Sequence, residues 1–125
     1  MIGSQMSNFK ISEFDSKDGA EMPSDVKMNV IELIDNLNVL RQELGSPLYV
    51  NSGYRSPEHN KNIGGSLNSQ HLTGKAADIR SNEYTPKQIK EKIEELIKVG
   101  KMKQGGLSAY NTFVHYDIRG NKARW

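Results

Sequence analysis

The spacing of apolar residues along the chain predicts a long first helix. Between 26 and 44 they recur three or four positions apart, which is the repeat of one helix face. Pro23 precedes this segment and Gly45 follows it, and both residues are typical of helix ends. We therefore predict a helix that begins near Ser24 or Asp25 and ends at Gly45.

Two further helices are predicted by their starts and ends. Thr85 and Gln88 have the spacing of a capping box, and apolar residues at 89, 93, 96 and 97 give this helix a buried stripe up to Gly100. A shorter helix is predicted to open at Ser56-Pro57, where serine caps and proline occupies the first turn, and to end before Gly64-Gly65.

Short apolar runs between polar turns predict the strands. They lie at 48–50, 76–80, 107–110 and 112–118, and the segment 64–74, rich in glycine, serine and asparagine, is predicted to be a loop. Elements in this order predict an α+β fold, with helices packed against a small antiparallel sheet. The length of 125 residues predicts a single domain, 1–125.

Two of the strands carry ionisable residues on one face. Because side chains alternate along a strand, His115 and Asp117 face away from the apolar positions 114, 116 and 118. In the same way, Asp78 lies on the face opposite Ala77 and Ile79. If the two strands are neighbours, Asp78 and His115 converge.

A third residue can reach the same point. His71 precedes Asp78 by seven positions, across Gly74, where the chain can turn. Two histidines and an aspartate form a good zinc site, with a fourth position left to water. The pattern alone also allows the alternative that these histidines are exposed or only hydrogen-bonded.

Composition narrows the classes of function. The chain has no cysteine and three histidines, so disulfides, thiolate metal sites and cysteine nucleophiles are excluded. A net charge of +2 is too small to favour nucleic acid binding, and no apolar run is long enough to span a membrane. We expect no nucleic acid partner, no membrane insertion and a monomer.

Several motifs in the sequence resemble one known family. They are SGYRSP at 52–57 with Asn60, the Gly64-Gly65 pair, SQHLTGKAADI at 69–79, FVHYDIRG at 113–120, KARW at 122–125, and the segment from Asn8-Phe9 to Glu13-Phe14. Together they resemble the D-Ala-D-Ala carboxypeptidase family of zinc peptidases, peptidase family M15, in its small single-domain branch. The resemblance covers nearly the whole chain.

This resemblance implies one zinc ion held by His71, Asp78 and His115. It implies hydrolysis of peptide bonds in the stem peptides of bacterial peptidoglycan, at a D-Ala-containing bond, by carboxypeptidase or endopeptidase action. The fold is also shared with the hedgehog signalling domain, whose members keep the metal without established hydrolysis. The alternative is therefore a non-catalytic zinc module that binds cell-wall peptides or a protein partner.

The sequence departs from the family pattern at the general base. Related proteins carry a carboxylate three positions before the last histidine ligand, where this chain has Thr112. Asp117 is the nearest candidate base, and the alternative is that Asp117 only orients a ligand. Glu58 is a weaker candidate.

Other residues are expected to bind substrate. Arg55 is the candidate that clamps a substrate carboxylate or stabilises the oxyanion, unless it only packs over its turn. The resemblance gives Ser69 and Gln70 as substrate contacts, with loop hydrogen bonding as the alternative for Ser69. His59 is expected at the surface, with a place in the cleft lining as the alternative. Trp125 is expected to close a small apolar cluster, with stacking on a ligand as the alternative.

The first residues of the chain bear on the cellular compartment in which the protein is expected. It lacks a basic stretch followed by an apolar core, so we expect no signal peptide and a cytoplasmic protein as synthesised. Action on the cell wall would then require release or export, as for a phage or prophage lysis enzyme.

Overall fold

A computed structural model describes residues 8–125, and the first seven residues of the predicted domain lie outside this range. A five-stranded sheet forms its centre, with three helices beside it. In chain order the elements are α1 (Ser24–Leu44), β1 (Tyr49–Ser52), α2 (Pro57–Asn62), β2 (Ala76–Arg80), α3 (Pro86–Lys98), β3 (Gly106–Ala109), β4 (Val114–Asp117) and β5 (Ala123–Arg124). This confirms the predicted α+β fold.

The order of strands in the sheet is β1-β2-β4-β3-β5. All neighbouring pairs are antiparallel except β3 and β5, which run parallel. The strands predicted to carry the ionisable face, β2 and β4, are direct neighbours at the centre of the sheet. Their register places Asp78 opposite His115 and Ala76 opposite Asp117.

The core lies between the sheet and the two long helices. Alternate residues of the central strands, Ala77, Ile79, Val114 and Tyr116, are fully buried in it. The apolar stripe of α1 is buried at the predicted positions 26, 30, 33, 37, 40 and 44, and at 34 as well. That of α3 is buried at 89, 93 and 96, whereas the predicted Ile97 is only half-buried. Burial of these stripes is the main force that holds the helices on the sheet.

The predicted helix ends are confirmed. Gly45 follows α1 in the left-handed conformation, with φ of 66°, and its amide donates to the carbonyl of Arg41. At the start of α3, Thr85 and Gln88 form the predicted reciprocal capping box. Ser56 caps α2 by accepting a hydrogen bond from the amide of His59.

The segment 64–74 differs from the predicted loop because Gln70–Thr73 forms a 3-10 helix. The side chain of Ser69 caps it by accepting from the amide of His71. Gly74 ends it in the left-handed conformation, with φ of 76°. A single short turn has no apolar periodicity, so the pattern of the sequence could not reveal it.

The strands also differ in detail from the prediction. The first lies at 49–52 instead of 48–50 and the third at 106–109 instead of 107–110, and the fourth, at 114–117, is shorter than the predicted 112–118. The prediction missed β5, a two-residue strand at the edge of the sheet. Within residues 8–125, no helix combines the length and the apolar character needed to cross a membrane.

Candidate metal centre and active-site cleft

Three buried side chains converge above the centre of the sheet. Asp78 and His115 are brought together by the register of β2 and β4, and His71 reaches them from the 3-10 helix that ends at Gly74. Asp78 Oδ1 lies 3.3 Å from His71 Nε2 and 3.3 Å from His115 Nδ1. One ligand atom of each residue lies within 4.8 Å of the others, so the trio can hold a metal ion.

The donor set is that of an open zinc site. Two imidazole nitrogens and one carboxylate oxygen are the usual ligands of a hydrolytic zinc, which keeps a fourth position for water. Tetrahedral bonds of about 2.0 Å separate neighbouring donors by about 3.3 Å. The two separations from Asp78 Oδ1 match this value. The residues present therefore fit the metal.

The surroundings of His71 leave one ring nitrogen for a metal. Its Nδ1 lies 2.7 Å from the main-chain carbonyl oxygen of Gly53. Because a carbonyl can only accept, Nδ1 donates to it, and Nε2 is the nitrogen that faces Asp78 and the metal position. The chain around the ring is fixed as well, since the amide of Arg55 donates to the carbonyl of His71.

In His115 the two ring nitrogens have exchanged roles relative to His71. Its Nε2 donates to Asp117 Oδ2 at 2.7 Å, which leaves Nδ1 facing Asp78. Asp117 is fully buried, and its two oxygens also accept from the guanidinium and amide of Arg119 and from the amide of Gly106. The second carboxylate of the strand face thus lies behind the metal ligand.

Hydrogen bonds outweigh burial in setting the pKa values of Asp78, His115 and Asp117. Burial would raise the pKa of Asp117, but hydrogen bonds from His115 and Arg119 outweigh it and hold the pKa well below its usual range. The pKa of Asp78 is likewise low, because hydrogen bonds from His115 and His71 outweigh burial. Burial would lower the pKa of His115, but hydrogen bonds to Asp117 and Asp78 raise it. The two ionised carboxylates therefore favour a positive charge beside them, and a metal cation can take that place.

Arg55 lies at the edge of the trio. Its Nη2 is 3.4 Å from Asp78 Oδ2, the oxygen that does not face the histidines. Its Nε donates to the hydroxyl of Ser52, and Nη1 donates to Asn60 Oδ1 at 3.4 Å. Asn60 is itself buried and donates to the carbonyl of Ser66, so one amide joins Arg55 to the rim loop.

The trio opens into a cleft of about 580 Å³. Its lining includes the predicted metal ligands and Arg55, Ser69 and Gln70, together with Ser66, Asn68, Tyr110, Phe113, Arg119 and Trp125. The structure thus gathers all the predicted site residues except Asp117 on the wall of one cleft.

Three other residues weighed from the sequence lie elsewhere. Glu58 and Thr112 are exposed and His59 is half-buried, and none of them lines the cleft.

Ser69 is half-buried at the rim, and its hydroxyl accepts from the amide of His71. Trp125 contacts His115 directly, with 5.0 Å between ring centroids.

The residues that hold the site from behind were not predicted from the sequence. Arg119 bonds to Asp117 through two guanidinium nitrogens, at 2.9 and 2.7 Å. Gly106 gives room for this carboxylate, since a β-carbon there would collide with Asp117 Oδ2. A signal did exist for both residues, because Arg119 lies two positions after Asp117 and Gly106 belongs to a double-glycine turn.

Comparison with known proteins identifies the class to which the fold and site belong. The family described as Peptidase M15 matches residues 5–117, and the chain therefore belongs to the peptidase M15 family. A curated relative, the zinc D-Ala-D-Ala carboxypeptidase of Streptomyces albus G, is 39% identical over 54 residues. That match covers 42% of this chain and 21% of the relative, so the chain aligns with about a fifth of that protein's length.

Proposed function

We propose that this chain is a zinc-dependent peptidase that hydrolyses a D-Ala-containing peptide bond in the stem peptides of bacterial peptidoglycan. The observation that carries the proposal is the buried trio of His71, Asp78 and His115 at the base of a cleft that also holds Arg55. Membership of the M15 family supports peptidase activity. The name of the Streptomyces relative supports zinc and the D-Ala-D-Ala bond.

His71, Asp78 and His115 would hold the zinc ion through Nε2, Oδ1 and Nδ1. When bound, zinc makes a water molecule acidic enough to attack at neutral pH and polarises the carbonyl of the bond to be cut. The hydrogen bonds from His71 to Gly53 and from His115 to Asp117 keep the correct nitrogen of each ring directed to the metal.

Arg55 is proposed to bind the substrate. Its guanidinium lines the cleft beside Asp78 and is held on one edge by Ser52 and Asn60. A guanidinium fixed in this way can pair with a carboxylate of the peptide or stabilise the oxyanion that forms during hydrolysis. Ser69 and Gln70, on the same wall, are proposed to bond the peptide backbone.

For Asp117 we propose the orienting role rather than that of general base. The side chain is fully buried, and both of its oxygens already accept hydrogen bonds from His115, Arg119 and Gly106. A base must lie within hydrogen-bond reach of the attacking water. Asp117 lies behind the imidazole of His115 instead.

A second candidate function is a non-catalytic zinc module that binds wall peptides. One observation favours it: among the described residues that line the cleft, Asp78 has the only side-chain carboxylate. A peptidase built this way lacks a separate carboxylate base, whereas a binding module needs none.

The two functions are distinguished by incubating the zinc-loaded protein with defined stem peptides and muropeptides and following the products by mass spectrometry. We expect one bond to be cut, with activity lost on chelation and restored by zinc. In His71→Ala we expect zinc content and activity to fall together. His59→Ala is the matched control, because His59 lies outside the cleft.

Stoichiometric zinc with intact peptides would contradict the peptidase proposal. If calorimetry then detected binding of the same peptides, it would support the binding module. The position of the cut also separates carboxypeptidase from endopeptidase action, and turnover of whole sacculi would support a role in lysis.

A further inference from the structure

One wall of the cleft is aromatic and has no part in holding the metal. It consists of Tyr110, Phe113 and Trp125, which all line the cleft. The indole of Trp125 lies against the ring of His115, with 5.0 Å between centroids, so this wall begins at the metal centre. Yet Trp125 is 56% exposed and Tyr110 43% exposed. Large apolar rings that stay open to solvent beside a site are typical of binding surfaces.

Hydrogen bonds and stacking hold the aromatic wall in place. The indole Nε1 donates to the hydroxyl of Tyr110 at 2.7 Å, and the hydroxyl of Ser108 donates to the main-chain oxygen of Trp125 at 2.8 Å. The ring of Tyr110 stacks on Phe113, with 4.6 Å between centroids and 15° between planes. With its one polar group already bonded, the indole presents an apolar surface to the cleft.

The charges around the wall indicate what it binds. Arg119 lies over the indole, with its guanidinium carbon 5.6 Å from the ring centroid. That guanidinium is paired through two nitrogens with the buried carboxylate of Asp117, so its charge is already balanced. The wall therefore suits a neutral apolar group, whereas Arg55, Ser69 and Gln70, elsewhere in the lining of the cleft, suit the polar and anionic parts of a peptide.

We propose that Tyr110, Phe113 and Trp125 form a subsite for an aliphatic side chain of the peptide, at the residue that adjoins the cleaved bond. This inference rests on the proposed function, because it assumes a peptide whose carbonyl lies at the metal. Contact between Trp125 and His115 places the subsite directly beside that carbonyl.

The first test compares peptides that differ by one methyl group. Stem peptides are prepared with alanine or glycine on either side of the cleaved bond, and kcat/KM is measured for each. At one of the two positions the wild type should prefer alanine by about 3- to 10-fold, which is the effect of burying one methyl group. Trp125→Ala should abolish this preference, and Trp125→Phe should retain most of it.

A matched control is available on another exposed ring. Tyr49 is 40% exposed and packs on Arg80, away from the cleft, so Tyr49→Ala should leave the preference unchanged. Zinc content and thermal unfolding of each variant show whether the metal centre and fold are retained. An equal alanine preference in the wild type and in Trp125→Ala would overturn the proposal.

A second test does not depend on turnover. Trp125 is the only tryptophan of the chain, so intrinsic tryptophan fluorescence reports on this wall alone. A stem peptide whose terminal D-Ala-D-Ala amide is replaced by a methylene-amine is titrated into zinc-loaded protein. We expect a saturable shift of the emission maximum to shorter wavelength as the indole loses water.

The outcomes separate this inference from the proposed function. If stem peptides are cleaved while the emission does not respond to an analogue that calorimetry shows to be bound, the subsite is wrong and the peptidase stands. If the emission responds and no peptide is cleaved, the aromatic wall binds peptide, hydrolysis is wrong, and the binding module is supported. If there is neither cleavage nor an emission response, both proposals fail.

Discussion

The two histidines of the trio are fixed by different partners, a main-chain carbonyl for His71 and a buried carboxylate for His115. A carbonyl is neutral and cannot lose its role through titration. A carboxylate adds negative charge behind the imidazole and makes it a stronger donor to a metal. At the scale of single residues, His115 is therefore the ligand whose strength depends on a neighbour, Asp117.

Asp117→Asn tests this dependence. If Asp117 orients His115, the substitution should weaken zinc binding by about 10- to 100-fold, which is the usual effect of losing a partner of a metal ligand. Competition with a chromophoric chelator measures the affinity. Asp35→Asn, on the exposed side of α1, is the control that removes a charge elsewhere. Full zinc affinity with lost turnover would instead indicate that Asp117 is the general base.

At the scale of elements, the position of His71 depends on how its 3-10 helix meets α1. Gly74 ends that helix with φ of 76°, and a β-carbon there would lie 2.7 Å from Val26 Cγ1 and 2.9 Å from Val30 Cγ2. The backbone that carries His71 thus rests directly on the first helix. Only glycine allows both the left-handed conformation and this close approach.

Gly74→Ala should therefore destabilise the protein more than Gly45→Ala. Both positions have positive φ, but a β-carbon at Gly45 would meet nothing within 4 Å. We expect Gly45→Ala to cost about 1–2 kcal/mol for the backbone alone, and Gly74→Ala about 1–3 kcal/mol more for overpacking. Urea unfolding of metal-free protein measures the difference. If both variants lost the same unfolding free energy, Val26 and Val30 of α1 would have to move aside without an energetic penalty.

The elements explain what the sequence could and could not predict. The alternation along 113–118 was enough to place His115 and Asp117 on one strand face, because strand periodicity is a local property. The positions of Arg119 and Asn60 depend on which elements meet in space. The edge strand β5 forms only because a neighbouring strand supplies its partners, so two residues of sequence carry no signal for it.

Roles were harder to predict than positions. The three candidate metal ligands were predicted from residue type, from the strand faces of Asp78 and His115, from the turn at Gly74 and from the family resemblance. Whether Asp117 acts as base or orients a ligand depends on how deeply its side chain is buried and on its hydrogen bonds with Arg119. Alternation along a strand reveals neither of these. The aromatic wall as a whole was not predicted for the same reason, since Tyr110 and Trp125 meet only in the folded chain.

At the scale of the whole molecule, Asp18 joins the N-terminal segment to α2. Its carboxylate accepts hydrogen bonds from the hydroxyls of Ser56 at 2.6 Å and Ser16 at 2.7 Å, and from the amide of Ala20. The side-chain hydrogen bond from Ser56 is the largest cause that lowers the pKa of Asp18 to about 2. In the sequence, the whole of α1 lies between Asp18 and Ser56, so this hydrogen bond joins two distant parts of the chain.

Because the pKa of Asp18 is lower in the folded state, its contribution to stability is present above the ordinary pKa of about 4 and is lost as the pH falls through about 2. Wild type and Asp18→Asn should differ in unfolding free energy at pH 6, and the difference should shrink towards pH 2. Denaturation by urea at several pH values measures it. A difference independent of pH would show that the hydrogen bonds act without the charge.

The register that places Asp78 opposite His115 also connects metal supply to the folding equilibrium. These two ligands meet only when β2 and β4 pair, so the unfolded chain offers the ion no comparable site. Each tenfold rise of free zinc above its dissociation constant then adds about 1.4 kcal/mol to the stability of the native state. Against a usual margin of about 5–15 kcal/mol, the stability of this protein is set partly by its own sequence and partly by the zinc content of its surroundings.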